Sequence, residues 1–133
     1  MAEKSKPVVI ANAVALTGSI AVVGSTFDTR DNEYISIVAN WAKHADETLL
    51  TIEVQGTLDG TTWVAIPVVI DGSATITSGI ATAALGEVRY TRDVTGAVHL
   101  PLELNGIRTV RVRALSTSSG SRGTMTLTAV GAS

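Results

Sequence analysis

The sequence contains no cysteine. This absence excludes disulfide bonds, thiolate metal ligands and a cysteine nucleophile. It does not indicate a compartment, because cysteine-free chains suit the cytosol and also particles that meet oxidants.

Aromatic residues and long apolar runs are also scarce, and neither sign of charge is in large excess. Aromatic residues make up 4% of the chain, and its 10 basic and 12 acidic residues give a net charge of −2. A nucleic-acid partner needs a basic face or stacking aromatic side chains, so none is expected. No apolar run is long enough for a transmembrane helix, so no membrane partner is expected. The N-terminal run around Asn12 is expected to be a strand or arm and not a secretory signal.

The residues that are present favour β-structure. Apolar residues form 45% of the chain, and the 133 residues include 12 glycines. This mixture, rich in Val, Ile and Thr, is typical of sheets. The length fits one domain with a core large enough to need no disulfide.

The clearest local pattern lies in residues 48–66, TLLTIEVQGTLDGTTWVAI. Apolar and polar residues alternate through its first half, which predicts a strand with one buried and one solvent-facing side. Asp59-Gly60 separates two such runs and predicts a hairpin, because both residues tolerate the positive φ of a tight turn. Asp59 is therefore interpreted as a turn residue.

Further extended runs repeat at short, regular spacing. They lie at residues 7–16, 19–23, 33–42, 61–70, 86–91, 97–104, 107–115 and 124–130. Turn residues predict loops at 24–32, 43–47 and 116–123. Pro67 predicts an edge position or a bulge for its strand. We predict an all-β fold: a single antiparallel β-sandwich or jelly roll of about eight or nine strands.

The domain is predicted to span residues 11–133, and residues 1–10 form either an extended N-terminal arm or the first strand. Val8, Val9 and Ile10 would be the apolar anchor of an arm that lies on a neighbouring subunit. Such an arm would bury area beyond the domain itself.

No pattern in the chain predicts catalysis, a cofactor or a metal site. His44 and His99 stand apart and lack an evident partner for metal binding or base catalysis. The oxygen-rich run FDTRDNE (27–33) lacks the spacing of a calcium loop. No serine elbow, phosphate loop or dinucleotide fingerprint occurs. The chain is therefore not expected to be an enzyme.

Two groups of residues could bind a partner. Arg108, Arg111 and Arg113 could pair with an acidic protein surface, or they could form an ordinary solvated sheet face. Trp41 and Trp63 are expected in the core, and the alternative is that they stack on a sugar.

Two segments resemble the β-sandwich structural proteins of tailed-phage virions, with a galactose-binding-like jelly-roll character. They are TIEVQGTLDGTTWVAI (51–66) and GIRTVRVRALSTSSGSRGTMTLTAVG (106–131), about a third of the chain. The shared order is a strand, a DG-x-x-W hairpin, an arginine-bearing strand, a Gly/Ser loop and a Thr/Val strand.

The resemblance implies a non-enzymatic virion protein, assembled in the host cytoplasm, that binds copies of itself and a major capsid or other virion protein. A capsid decoration or cement protein is the leading interpretation, and a trimer is the oligomer that a capsid lattice suggests. A tail, neck or baseplate component is one alternative. A carbohydrate-binding module is the other.

Overall fold

The computed structural model describes residues 6–29, 32–66, 89–104 and 106–132. These residues form nine strands and no helix, as the sequence predicted. The strands are β1 (Val8–Ala15), β2 (Ala21–Asp28), β3 (Tyr34–Ala42), β4 (Glu47–Thr57), β5 (Trp63–Ala65), β6 (Tyr90–Arg92), β7 (Gly96–Glu103), β8 (Thr109–Ser118) and β9 (Thr124–Ala132). Within the described ranges, no helix is long and apolar enough to cross a membrane. The predicted strand around Pro67 lies outside the described residues.

The strands form two sheets. The four-stranded sheet has the order β1-β9-β3-β7, and the five-stranded sheet has the order β2-β8-β4-β5. Strand β6 pairs with β4 beside β5. All of these pairs are antiparallel, which confirms the predicted β-sandwich.

Alternate residues of each sheet meet in the core between them. Ile37, Leu100 and Leu127 of the four-stranded sheet are fully buried, and so is Val112 of the five-stranded sheet. Each such side chain stabilises the fold by about 1.5–3 kcal/mol relative to exposure. Trp41 is 1% exposed, so its predicted place in the core is confirmed.

The N-terminal stretch forms the edge strand β1 from Val8 onward, pairing with β9. Two register shifts interrupt this pairing, and Ala13 has a φ of 48°. Such bulges place two residues opposite one, so Ile10 and Ala11 both point inward. Residues 8–10 lie in this edge strand, and residues 1–5 lie outside the described residues.

Strand β2 corrects the predicted loop at residues 24–32, because it continues through Gly24 to Asp28. Gly24 has a φ of 73°, and the pairing with β8 shifts between Val23 and Phe27. A Cβ at Gly24 would lie 2.0 Å from the carbonyl oxygen of Ile10. The glycine thus makes a bulge where β1 and β2 come close, and it does not end the strand.

The predicted hairpin is confirmed, with Thr57 opposite Trp63. Its connection spans residues 58–62 and is therefore longer than a two-residue turn. The Asp59 Oδ1 atom accepts hydrogen bonds from the backbone N–H groups of Thr61 (2.8 Å) and Thr62 (2.7 Å). These bonds hold the pKa of Asp59 well below its usual range. The turn role of Asp59 is confirmed.

Glu47 corrects the predicted polar turn at residues 43–47, since it is 1% exposed at the start of β4. Its Oε1 atom accepts the backbone N–H groups of His44 (2.7 Å) and Gly123 (2.9 Å), joining two loops. The Ser116 hydroxyl and the Trp41 indole also face the carboxylate, without hydrogen bonds of ordinary geometry. Burial raises the pKa of Glu47, but these donors together lower it below its ordinary value.

Candidate interaction surface

The outer face of the five-stranded sheet brings β4 and β8 together with long polar side chains. The sequence predicted that Glu53 and Gln55 face solvent, but they are only 3% and 8% exposed. Arg113 lies opposite Glu53, and Arg111 lies opposite Gln55. The prediction was wrong because alternation shows two faces of a strand and does not show which neighbouring side chains cover each face.

Glu53 forms two ion pairs on this face. Its Oε1 atom lies 3.4 Å from Nη1 of Arg113, and its Oε2 atom lies 3.4 Å from Nε of Arg89. The arginine side chains keep 24% and 33% exposure, whereas Glu53 keeps 3%. A carboxylate this buried requires paired cations, and Arg113 and Arg89 supply them on this face.

Arg111 joins β8 to the hairpin through two contacts. Its Nε atom donates to Oε1 of Gln55 at 2.8 Å, and its guanidinium carbon lies 4.1 Å from the ring centroid of Trp63. Arginine stacks well on indole because the ring face attracts a cation. Burial, and then the charge of Arg113, lower the pKa of Arg111. The guanidinium nevertheless stays protonated, as arginine does in proteins.

Trp63 is therefore half-exposed on the outer face and is not in the core, which corrects the sequence prediction. The reason is register: Trp63 pairs with Thr57, which points to the same side as Gln55. An aromatic residue near a turn predicts that its ring is at least partly covered. The strand pairing decides on which face of the sheet the ring lies.

We call this cluster the arginine platform: Arg89, Arg111, Arg113, Glu53, Gln55 and Trp63. Among the described residues, Arg111 and Arg113 lie beside the one carboxylate of the cluster, Glu53, so the platform carries more positive than negative charge. Guanidinium groups bind carboxylates with two parallel hydrogen bonds. The platform can therefore receive an acidic protein surface.

The structure separates the remaining predicted interaction residues. Arg108 is exposed just before β8, where its backbone bonds to Thr29 and Thr57. Val8 and Val9 are 44% and 59% exposed on the edge of the other sheet, and Ile10 is buried at 4%. Arg111 and Arg113 thus share a site, whereas the N-terminal valines belong to a different surface and Ile10 belongs to the core.

The other polar candidates lie apart from the platform. His44 accepts the backbone N–H of Asp46 at 3.1 Å, and His99 is exposed on β7. Part of the oxygen-rich run at 27–33 lies outside the described residues. Across the ranges that are described, no group of three His, Cys, Asp or Glu residues could hold a metal ion. Arg89 is the platform member that sequence patterns missed, because it precedes a three-residue strand with little alternation.

No family model and no curated protein matches the sequence. Solved structures do share its fold. The SPBc2 prophage-derived protein YomS matches with a TM-score of 0.63 and 11% identity, over 100% of this chain and 96% of that one. The PBSX exported protein XepA matches with a TM-score of 0.59 and 9% identity, over 99% of this chain and 38% of that one.

A viral protein also has a similar fold. The infectious bursal disease virus VP2 of a subviral particle matches with a TM-score of 0.50 and 12% identity, over 98% of this chain and 32% of that one. Identities of this size show the fold alone. The fold described above is thus also found in a prophage-derived protein, in an exported protein and in the protein of a viral subviral particle.

Proposed function

We propose that this protein is a non-enzymatic structural component of a phage virion, a capsid decoration or cement protein that stabilises the shell by protein–protein contacts. The observation that carries the proposal is the similarity to the prophage-derived YomS along almost the full length of both chains. The VP2 similarity adds that the protein of a viral subviral particle has a similar fold.

The contacts of the carboxylates of Glu47, Asp59 and Glu53 support a structural role. Glu47 and Asp59 have lowered pKa values, and one oxygen of each carboxylate accepts two backbone N–H groups. Glu47 Oε1 joins two loops in this way, and Asp59 Oδ1 holds its own turn. Glu53 is held between two arginines. These groups stabilise the sandwich, whereas catalytic groups have pKa values tuned toward proton transfer near neutral pH.

The proposed contact with the shell is the arginine platform, and Arg108, exposed just before β8, would add a separate cationic contact. The excess positive charge of the platform would bind an acidic patch of a major capsid protein. One such contact is weak, but repetition over a lattice multiplies its effect, since each bound copy meets equivalent sites. Val8 and Val9, at the edge of the other sheet, would add an apolar contact with a neighbouring copy of the chain.

The test uses the phage whose genome encodes this chain. Mass spectrometry of purified particles should find the chain, and particle images should place it at repeated capsid positions. Placement on the tail axis would favour the tail, neck or baseplate alternative. Intact particles that lack the chain would contradict a virion role.

Binding to shells stripped of this protein tests the contact itself. Arg111→Ala should weaken shell binding at least about tenfold at low salt, because it removes a charged contact. Arg92→Ala is the matched control, since it removes the same charge from β6, outside the platform, where Nε donates to the Val94 carbonyl. Equal binding by both variants would exclude the platform as the contact.

Sugar binding is a second candidate, because Trp63 is half-exposed on the surface and Arg111 stacks on its ring. Aromatic rings of this kind bind sugars by stacking. A glycan array with the wild-type protein and Trp63→Ala separates the two functions. Glycan binding that disappears in the folded variant would favour the carbohydrate-binding module.

A further inference from the structure

The four strands of the four-stranded sheet are almost free of charge. Glu103, the last residue of β7, is the only Asp, Glu, Lys or Arg in β1, β3, β7 and β9. Charged residues form 17% of the whole chain. The depletion is therefore specific to this sheet.

The outer face of this sheet is exposed and built mainly from small side chains, with the larger Tyr34 at one end. One row crosses all four strands, with Val9 beside Thr128, Thr128 beside Val38, and Val38 beside His99. Val9 is 59% exposed and Val38 is 41% exposed. The rows on either side hold Thr, Asn and Ala, and Val, Ser and Pro.

This composition departs from that of a solvent-facing sheet. In an antiparallel sheet with one solvated side, each strand alternates apolar residues toward the core with polar and charged residues toward solvent. Depletion of charge at the centre of an exposed patch is the compositional feature of protein interfaces. The outer face of the four-stranded sheet therefore has the character of a covered surface.

We propose that this face binds the same face of a second copy of the chain, around a twofold axis. A twofold contact brings each residue near its own copy, so a charged face would bring like charges together. The arginine platform on the other sheet would repel itself in this way. The outer face of the four-stranded sheet has little such penalty, because its one acidic residue, Glu103, lies at one end of the sheet opposite Tyr34. The Val and Thr side chains of this face suit face-to-face sheet packing at a spacing of about 10 Å.

The size of the face sets the strength of the contact. Four strands about 4.8 Å apart, with about 3.3 Å per residue, give the nine-residue β3 and its neighbours an area of about 500 Å². Two copies then bury about 1,000 Å², the low end of specific interfaces. We therefore expect weak self-association, with a Kd between about 1 µM and 1 mM.

This inference deepens the proposed function and rests on it for its place in the virion. The self-contact and the virion role can fail separately, because the outer face of the four-stranded sheet and the arginine platform lie on opposite sides of the sandwich. A monomeric protein that still binds shells through Arg111 would overturn only the self-contact. A protein absent from virions that still self-associates through this face would overturn only the virion role.

The experiment is sedimentation of the full chain from about 0.5 µM to 2 mM, a range that brackets the expected Kd. Val38→Glu should raise the Kd at least about tenfold. Val94→Glu changes a more exposed valine (58%, against 41% for Val38) between β6 and β7, and it should leave the Kd within about twofold. A wild-type protein that is monomeric throughout, or equal effects of the two variants, would overturn the proposal.

A second measurement needs no variant and decides the case if Val38→Glu does not fold. In the wild-type protein, amide NMR signals of β3 and β9 should shift with concentration. Signals around Arg111 on the other sheet should stay constant. Concentration-dependent shifts confined to the platform would overturn the proposal.

Discussion

The guanidinium of Arg111 lies 4.1 Å from the ring centroid of Trp63, so the arginine-bearing strand β8 and the hairpin meet on the outer surface of the sandwich. Arg111 is also tied to Gln55 of the strand between them. The side chains of three neighbouring strands are therefore aligned before any partner binds.

The first prediction concerns this stack. A double-mutant cycle with Trp63→Ala and Arg111→Ala should give a coupling energy of about 0.5–1 kcal/mol in the free energy of unfolding, since the stack is only partly desolvated. Urea unfolding of the four proteins measures it. The pair Trp63→Ala and Arg92→Ala serves as the control and should be additive. Additivity in both cycles would mean that the stack does not stabilise the fold.

The second prediction concerns the buried carboxylate of Glu53. Glu53→Gln should lower the free energy of unfolding by about 2–3 kcal/mol, because it leaves Arg113 and Arg89 without their shared counter-charge. The arginines retain some exposure, which keeps the cost below that of a fully buried pair. Glu33→Gln, an exposed glutamate, is the control and should stay within about 0.5 kcal/mol. Similar values for both variants would contradict the structural role of Glu53.

How far the sequence predicts this fold depends on the range of the interactions. Alternation within β3, β8 and β9 predicted these strands to within a few residues, because period-two patterning is local. Bulges at Gly24 and in β1 were not predictable in this way, since they depend on the approach of β1 to β2.

The arginine platform likewise contains residues that the local sequence pattern identified and residues that only the strand pairing brings together. The sequence identified Arg111 and Arg113 as one face of a strand. It could not show that Trp63 and Gln55 lie beside them, because that requires the pairing of β8 with β4, a partner 56 residues away at the Gln55–Arg111 contact. The face toward which Trp63 points follows from that register and from no local signal.

The third prediction is a pH dependence from Glu47. Its folded pKa is lowered, so its contribution to stability is complete above the unfolded pKa of 4.5 and is lost as the pH falls through the lower folded value. The wild-type protein should therefore exceed Glu47→Gln in free energy of unfolding at pH 7, and the difference should shrink toward pH 3. Urea unfolding of both proteins from pH 7 to pH 3 measures this difference. A constant difference across that range would show that the charge of Glu47 does not stabilise the loops.

The fourth prediction compares two glycines that are needed for different physical reasons. Gly60 has a φ of 88° and open space around it, so Gly60→Ala meets only backbone strain and should cost about 1 kcal/mol. Gly60→Asn should cost less, because asparagine tolerates this conformation. Gly123 is different, since a Cβ there would lie 1.9 Å from the carbonyl oxygen of Ala42 and 2.8 Å from the Glu47 carboxylate.

Gly123→Ala must therefore move backbone and disturb the bond from Gly123 to Glu47. We expect a cost of about 3 kcal/mol, at the upper end for overpacking. Urea unfolding of the three variants gives the order Gly60→Asn, Gly60→Ala, Gly123→Ala in increasing loss of stability. A Gly123→Ala protein as stable as Gly60→Ala would mean that the loop after β8 can move away from β3, and the proposed tie through Glu47 would then be too weak to hold the two loops together.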